Sequence, residues 1–117
     1  MTPEIFVEAL KTECRDSAVE GCVDVLLSPP GRRPGAELLE LSRWFNSLGE
    51  ADRKNVVSAM RQTAHETLFG VLCVIDGARV IEGPGEKSEF RLTAAHSSQL
   101  STIAPSTQLL HDILGTE

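Results

Sequence analysis

The chain has 117 residues, of which 41% are hydrophobic and 24% charged, and its formal net charge is -6. This length is typical of one compact domain, and the composition is that of a folded chain and not of a disordered one. We therefore predict a single domain spanning residues 1–117. The acidic balance argues against nucleic acid and against an anionic membrane surface, since both are bound largely through Lys and Arg.

The three cysteines, Cys14, Cys22 and Cys73, are odd in number and show no C-x-x-C spacing. This pattern excludes a zinc ribbon and a disulfide scaffold, so we expect reduced, buried thiols. The chain opens with no signal-peptide pattern and contains no apolar stretch of about 18 residues. A small, soluble, cytoplasmic protein is the expectation.

Two helices are predicted before the first proline-rich loop. Thr2 and Pro3 are suited to begin the first helix, and Ser17 with Glu20 forms a capping-box pattern that would begin the second. The second helix would end before the prolines of residues 28–36. One face of the first helix would contain Ile5, Phe6, Ala9, Leu10 and Cys14. The second helix would bury Val19, Cys22, Val23, Leu26 and Leu27.

A short third helix is predicted over Glu37 to Phe45 and a long central helix over Glu50 to Ile75, the latter begun by a Ser47–Glu50 capping box. The apolar arc of the central helix would contain Val56, Val57, Met60, Ala64, Leu68, Val71, Leu72 and Ile75.

The end of this helix has an alternative interpretation. Val71 to Ile75 could form a strand that turns through Asp76-Gly77, because Asp-Gly between apolar runs is typical of a hairpin. We favour the helix, since the i, i+3, i+4, i+7 phase continues through Leu68, Val71, Leu72 and Ile75. Gly77 is suited to a C-terminal cap.

In the last third of the chain, the residue pattern predicts strands at Ala78 to Glu82 and Glu89 to Ala94, joined by a Gly-Pro-Gly turn. A third strand could follow at Leu100 to Ile103. A short final helix, capped by Ser106, would cover one side with Leu109, Leu110, Ile113 and Leu114. The predicted fold class is therefore α+β and predominantly helical, with a small antiparallel hairpin after the long central helix.

The segment Gly83 to Ser88 reads G-P-G-E-K-S and resembles the end of a phosphate-binding loop only superficially. That motif requires glycine before the lysine so that backbone N–H groups can surround phosphate, whereas this chain has Glu86 there. We interpret the segment as a hairpin turn and predict no nucleotide or other cofactor.

The three histidines, His65, His96 and His111, lack the i, i+4 spacing of a helical metal site, so no metal is predicted. His65 lies at the edge of the apolar face of the central helix. His111 falls outside the apolar arc of the last helix, together with Asp112, and is expected to be exposed. Either His65 or His111 could still meet a carboxylate from another helix, which keeps both as candidate functional residues.

Two further positions depart from their local pattern. Glu13 lies within the apolar face of the first helix, so it should be exposed at the rim, paired with a base such as Arg15, or functional. Trp44 adjoins Phe45 in a short helix, and two neighbouring aromatics cannot face the same core. Phe45 would be buried, while Trp44 would cover its edge or anchor a partner.

No catalytic motif is found in the chain, which favours a non-enzymatic module that binds another protein. Its acidic balance would suit a basic partner, as in an inhibitor or an immunity-type antidote. The alternative is a small enzyme or ligand-binding protein whose site combines His65, Glu13 or His111 across helices.

Overall fold

The computed structural model describes residues 1–116; Glu117, the last residue of the predicted domain, lies outside the described residues. Helices occupy its first two thirds, and a hairpin and a short helix follow. In chain order the elements are α1 (Pro3–Leu10), a π-helical segment (Lys11–Asp16), α2 (Ser17–Leu27), α3 (Ala36–Ser47), α4 (Glu50–Ile75), β1 (Leu92–His96), β2 (Gln99–Ala104) and α5 (Leu110–Leu114). The predicted fold class is confirmed.

The first two predicted helices are in fact one uninterrupted helical run. Thr2 caps its start by accepting a hydrogen bond from the Ile5 N–H, as expected. Asp16 has helical dihedral angles (φ -70°, ψ -41°), and no side chain caps α2, so the Ser17–Glu20 capping box was wrong. The change of phase at Asp16 is instead absorbed by the π-helical segment, which widens the turn and rotates the face that follows.

The buried residues of α1 and α2 also differ from those predicted. Val7 is fully buried, whereas Ile5 is 55% exposed. The buried side of the first helix therefore includes Val7, which the predicted face left out, and excludes Ile5, which it contained. Cys14 and Cys22 are also exposed, and only Cys73 is the buried thiol that was expected.

The end of α2 is tied to α3 by side-chain hydrogen bonds. The Leu26 carbonyl accepts from Ser42 Oγ at 2.7 Å and from Asn46 Nδ2 at 3.1 Å. Carbonyls of a last helical turn lack intrahelical donors, and the prolines that follow cannot continue the helix. Ser42 and Asn46 supply those donors and hold α2 beside α3, with Leu26 and Phe45 buried.

The long helix α4 has the predicted bounds. It ends in a Schellman motif: Gly77 is left-handed (φ +79°), its N–H donates to the Val74 carbonyl, and the Ala78 N–H donates to the Cys73 carbonyl. The strand alternative for Val71 to Ile75 was therefore wrong. The Ser47–Glu50 capping box predicted for the start of α4 was wrong too, since the N-cap residue is Gly49 and no side chain caps the helix.

The hairpin forms later in the chain than predicted. β1 pairs antiparallel with β2 across the turn at residues 97–98, and Ala78 to Glu82 is not a strand. The register shifts between Leu92 and Thr93, which leaves Ile103 as an extra residue in β2. Both Ile103 and Ala104 are consequently buried, although successive strand residues normally point to opposite faces.

The main core lies at the C-terminal end of α4, where four other parts of the chain meet it. Its buried members are Val7, Leu72, Ile103, Ala104, Leu110 and Leu114. The first half of α4, up to Ala64, contains no fully buried residue. The helices α2 and α3 extend away from the core, and the whole measures 49 × 39 × 28 Å. No helix within residues 1–116 is long and apolar enough to cross a membrane.

Candidate functional site

The four candidate residues divide into two exposed side chains and two packed histidines. Glu13 is exposed on the π-helical segment, and Trp44 is 50% exposed on α3. His65 is buried, and the side chain of His111 is only 15% exposed. The two histidines hydrogen-bond to different partners, so the structure describes two separate polar clusters.

The first cluster is centred on His65, where α4 meets the π-helical segment and the C-terminal residues. Arg15 Nη1 lies 3.0 Å from His65 Nδ1, and the Gly115 carbonyl oxygen lies 2.9 Å from His65 Nε2. A guanidinium can only donate, so Nδ1 accepts, and Nε2 carries the proton that it donates to Gly115. Arg15 thus fixes one neutral tautomer of His65, and both ring nitrogens are hydrogen-bonded.

Two grooves border His65. The first, of about 360 Å³, is lined by Arg15, Asp16, Val19, Arg61, Gln62 and His65. The second, of about 430 Å³, is lined by Gln62, His65, Glu66, Phe69, Arg79 and Thr116. Three arginines therefore surround the histidine. The Arg79 guanidinium lies over Gly70, where even a Cβ atom would contact it.

Asp16 is the carboxylate of the first groove. Arg15 Nε donates to Asp16 Oδ1 at 2.8 Å. This hydrogen bond lowers the pKa of Asp16 below its usual value, and the charges of Arg15, Arg61 and Lys11 act in the same direction. Arg15 is therefore paired with a carboxylate inside the cluster. Arg15, which sequence analysis offered as a partner for Glu13, binds Asp16 and His65.

The second cluster joins Asp76 to His111. Asp76 Oδ2 accepts from the His111 backbone N–H at 2.9 Å and lies 2.7 Å from His111 Nδ1. The Asp76 side chain is 1% exposed, and its Oδ1 is buried without a hydrogen bond from the described residues. The His111 ring also meets Phe69 edge-on, with centroids 5.5 Å apart. The expectation that His111 is exposed was therefore wrong.

Asp76 serves as a distant N-terminal cap for α5. The local N-cap position of α5 is Leu109, which has no capping side chain, and the predicted cap Ser106 instead donates to the Gln108 carbonyl. The first backbone N–H groups of a helix need an acceptor, and a carboxylate there also favours the helix dipole. Asp76, at the C-terminus of α4, supplies both the acceptor and the negative charge.

The Gly83 to Ser88 segment is closed by a carboxylate. Glu82 Oε1 accepts from the Ser88 N–H at 2.7 Å, and Glu82 Oε2 accepts from Ser88 Oγ at 2.8 Å. These two bonds, the backbone one first, lower the pKa of Glu82. The segment is thus a closed loop and not the turn of a hairpin, and Glu82 takes the donors that a phosphate would need.

Trp44 belongs to an exposed face of α3. Phe45 points inward and is 1% exposed, while Leu41 is 46% exposed one turn before Trp44. Glu37 and Glu40 are exposed as well. The positions 37, 40, 41 and 44 follow i, i+3, i+4, i+7 spacing and share one side of the helix. We call these four residues the acidic–apolar face.

Sequence reasoning missed the partners of both histidines. The partner Asp76 could have been suspected from the sequence. A carboxylate at a helix C-terminus interacts unfavourably with the helix dipole, so a hydrogen-bond donor from another part of the chain is expected beside it. Arg15 carried no such signal, because its contact with His65 spans fifty positions. Among residues 1–116, no group of three His, Cys, Asp or Glu side chains is placed to hold a metal ion.

Comparison of the chain with known proteins found no matching family model, curated protein or solved structure.

Proposed function

We propose that this chain is a non-enzymatic protein-interaction module, an acidic cytoplasmic binder of the inhibitor or immunity type, which contacts a basic partner through the acidic–apolar face of α3. The observation that carries the proposal is the exposure of Trp44 and Leu41 side by side. Large apolar side chains one turn apart form a contact patch, and tryptophan is enriched at the energetic centres of interfaces.

The charges around this patch favour a basic partner. Glu37 and Glu40 flank the two apolar side chains, and the chain as a whole carries a net charge of -6. Carboxylates at the rim of an interface steer a basic protein and speed its association, while the apolar centre supplies most of the binding energy. The partner would have an apolar pocket bordered by Lys or Arg.

The environment of His65 supports a non-enzymatic role. A general base needs a ring nitrogen that can exchange a proton with substrate, whereas both nitrogens of His65 are engaged by Arg15 and Gly115. Asp16 is likewise engaged by Arg15. These groups have the arrangement of a structural cluster.

The proposal is tested by comparing Trp44→Ala with wild type. Protein purified from its native cells would first identify a co-purifying partner, and the affinity of the two purified proteins would then be measured by calorimetry. Trp44→Ala should weaken binding by about tenfold or more, because loss of a buried interface tryptophan commonly costs over 1.4 kcal/mol. Glu37→Gln with Glu40→Gln should slow association and reduce its dependence on salt.

Leu100→Ala is the matched control, because Leu100 is 75% exposed but lies in the hairpin. It should bind like wild type, and so should His65→Ala and Glu13→Ala, provided that they are folded. Equal affinity of Trp44→Ala and wild type would overturn the proposed face. A folded His65→Ala or Glu13→Ala variant that loses a measurable turnover would favour the small-enzyme alternative.

A further inference from the structure

We propose that the groove between α2, α3 and the first half of α4 binds a small aliphatic carboxylate, whose hydrocarbon chain lies on apolar side chains and whose carboxylate is held by Arg53. The groove has a volume of about 500 Å³, and pockets that hold small molecules have volumes of this size. None of the four residues of the acidic–apolar face lines it, so the inference is independent of the proposed function.

The apolar part of the groove is aliphatic where it is open to a ligand. All three helices contribute to it, through Val23, Leu27, Phe45 and Val57. Leu27 is 45% exposed, whereas Phe45 is 1% exposed and has the Arg53 guanidinium carbon 6.0 Å from its ring centroid. A hydrocarbon chain on Leu27 and the valines would remove apolar surface from water on both sides of the contact.

Basic side chains are concentrated in the same groove. Arg53, Lys54 and Arg61 line it, which is three of the 11 Lys and Arg residues of a chain whose net charge is -6. Glu50 also lines it and lies 3.7 Å from Lys54, so these two charges are paired. The local positive charge would attract an anion to an otherwise acidic protein.

The two arginines of the groove lack a carboxylate partner within residues 1–116. The hydrogen bonds of Arg53 go to backbone carbonyls, and Arg61 acts on Asp16 only through its charge. Two positive charges beside an apolar surface are therefore left without a contacting anion from the described chain. A ligand that joins a carboxylate to a hydrocarbon chain matches both features.

Arg53 is held in place before a ligand arrives. Its Nε donates to the Leu48 carbonyl at 3.2 Å and its Nη2 to the Asn46 carbonyl at 3.2 Å. A guanidinium has five N–H donors, so three of those on Arg53 have no acceptor among the described residues. Because the planar fork is already fixed, a carboxylate can accept two bonds from it at little cost in side-chain entropy.

The order of residues along α4 suits a ligand with a charged end and an apolar end. Arg53, Val57 and Arg61 follow i, i+4, i+8 spacing, which places them along one side of the helix. Val57 thus begins the apolar surface about 6 Å along the helix axis from Arg53. On α2, Val23 and Leu27 are also one turn apart and continue that surface.

The probe for this site is octanoate, titrated into the wild-type chain by calorimetry at concentrations below those of its micelles. Octanoate should bind, and hexanoate should bind about fifteenfold more weakly, because each buried CH₂ group contributes about fourfold in affinity. Octanol and octyltrimethylammonium have the same hydrocarbon chain without the carboxylate. Both should bind at least tenfold more weakly than octanoate, since hydrogen bonds to a charged acceptor are lost.

Variants of the groove separate the contribution of the head group from that of the tail. Arg53→Gln should weaken octanoate binding about tenfold or more, whereas Arg61→Gln, at an exposed position, should weaken it about threefold. Leu27→Glu places a carboxylate on the apolar surface and should weaken binding at least tenfold. Arg91→Gln and Leu100→Glu are the matched controls and should bind octanoate like wild type, because both positions are exposed and lie outside the groove.

Nuclear magnetic resonance locates the ligand on the wild-type chain. Octanoate should shift the Arg53 Nε–H signal and the methyl signals of Leu27 and Val57, and leave the Leu100 methyl signals unchanged. Three results would overturn the proposal: no octanoate binding at millimolar concentration, octanol bound as tightly as octanoate, or a folded Leu27→Glu variant that binds like wild type. The wild-type signals test the site even if Arg53→Gln does not fold. Partner binding through Trp44 is a separate measurement, so failure of this site would leave the proposed function standing.

Discussion

Asp76 and His111 are 35 positions apart in the chain, and one carboxylate oxygen of Asp76 lies within 2.9 Å of both the backbone nitrogen and the ring Nδ1 of His111. This pair joins the C-terminus of α4 to the N-terminus of α5. It stands beside the main core, where Leu72, Leu110 and Leu114 are buried. The pair therefore fixes the position at which α5 covers that core.

Asp76→Asn should destabilise the protein by about 1–3 kcal/mol, because hydrogen bonds to a charged acceptor are stronger than those to a neutral one and the site is closed to water. Asn keeps the size of Asp, so the change tests the charge and leaves the packing intact. The measurement is urea unfolding followed by circular dichroism.

Asp112→Asn is the control for this prediction, since the Asp112 side chain is 60% exposed and lies 3.5 Å from the other nitrogen of His111. Its free energy of unfolding should stay within about 0.5 kcal/mol of wild type. If the two variants were equally stable, Asp76 would not be the cap of α5.

The long helix and the fold class could be predicted because their signals are local. The apolar phase of α4 continues through Leu72 and Ile75, and Gly77 follows where a left-handed cap is needed, so residues a few positions apart sufficed. The burial of Phe45 beside an exposed Trp44 could be predicted for a similar reason: adjacent helical residues point about 100° apart, and only one aromatic could face inward.

The errors arose where distant parts of the chain decide the outcome. The π-helical segment rotates the face of α2 relative to that of α1, and a helical wheel with a fixed angle does not describe such a shift. The hairpin register is set by the burial of Ile103 and Ala104 against the helices. Val80 and Ile81 have strand-like chemistry but remain 53% and 63% exposed, without strand pairing.

The candidate site was predictable only in part. His65 was identified from its place on α4, but its partners Arg15 and Gly115 come from the two ends of the chain. His111 was assigned to the exposed side of α5 because Asp76, which draws it inward, is not visible in the pattern of that helix. Long-range polar contacts of this kind have no periodic signature.

His65→Ala should lower the free energy of unfolding by about 1–3 kcal/mol, because Arg15 loses an acceptor and the Gly115 carbonyl loses a donor at a buried position. His96→Ala is the control, since His96 is exposed in the hairpin. Chemical unfolding of both variants, together with nitrogen-15 chemical shifts of the His65 ring, checks the expectation. Wild-type shifts that indicate a proton on Nδ1 would contradict the tautomer that Arg15 imposes.

The loop closed by Glu82 should respond to acid. Hydrogen bonds from the Ser88 N–H and hydroxyl lower the pKa of Glu82, so the closure is complete above the pKa that Glu82 has in the unfolded chain and is lost as the pH falls through the lower folded value. Nuclear magnetic resonance titration should show the Ser88 amide shift changing together with the Glu82 carboxyl.

Ser88→Ala removes only the hydroxyl and should raise the pKa of Glu82 part of the way to its usual value. Lys87→Ala, in the same loop, should leave the pKa of Glu82 nearly unchanged, and a Ser88 amide insensitive to acid would mean that the loop is not closed by Glu82.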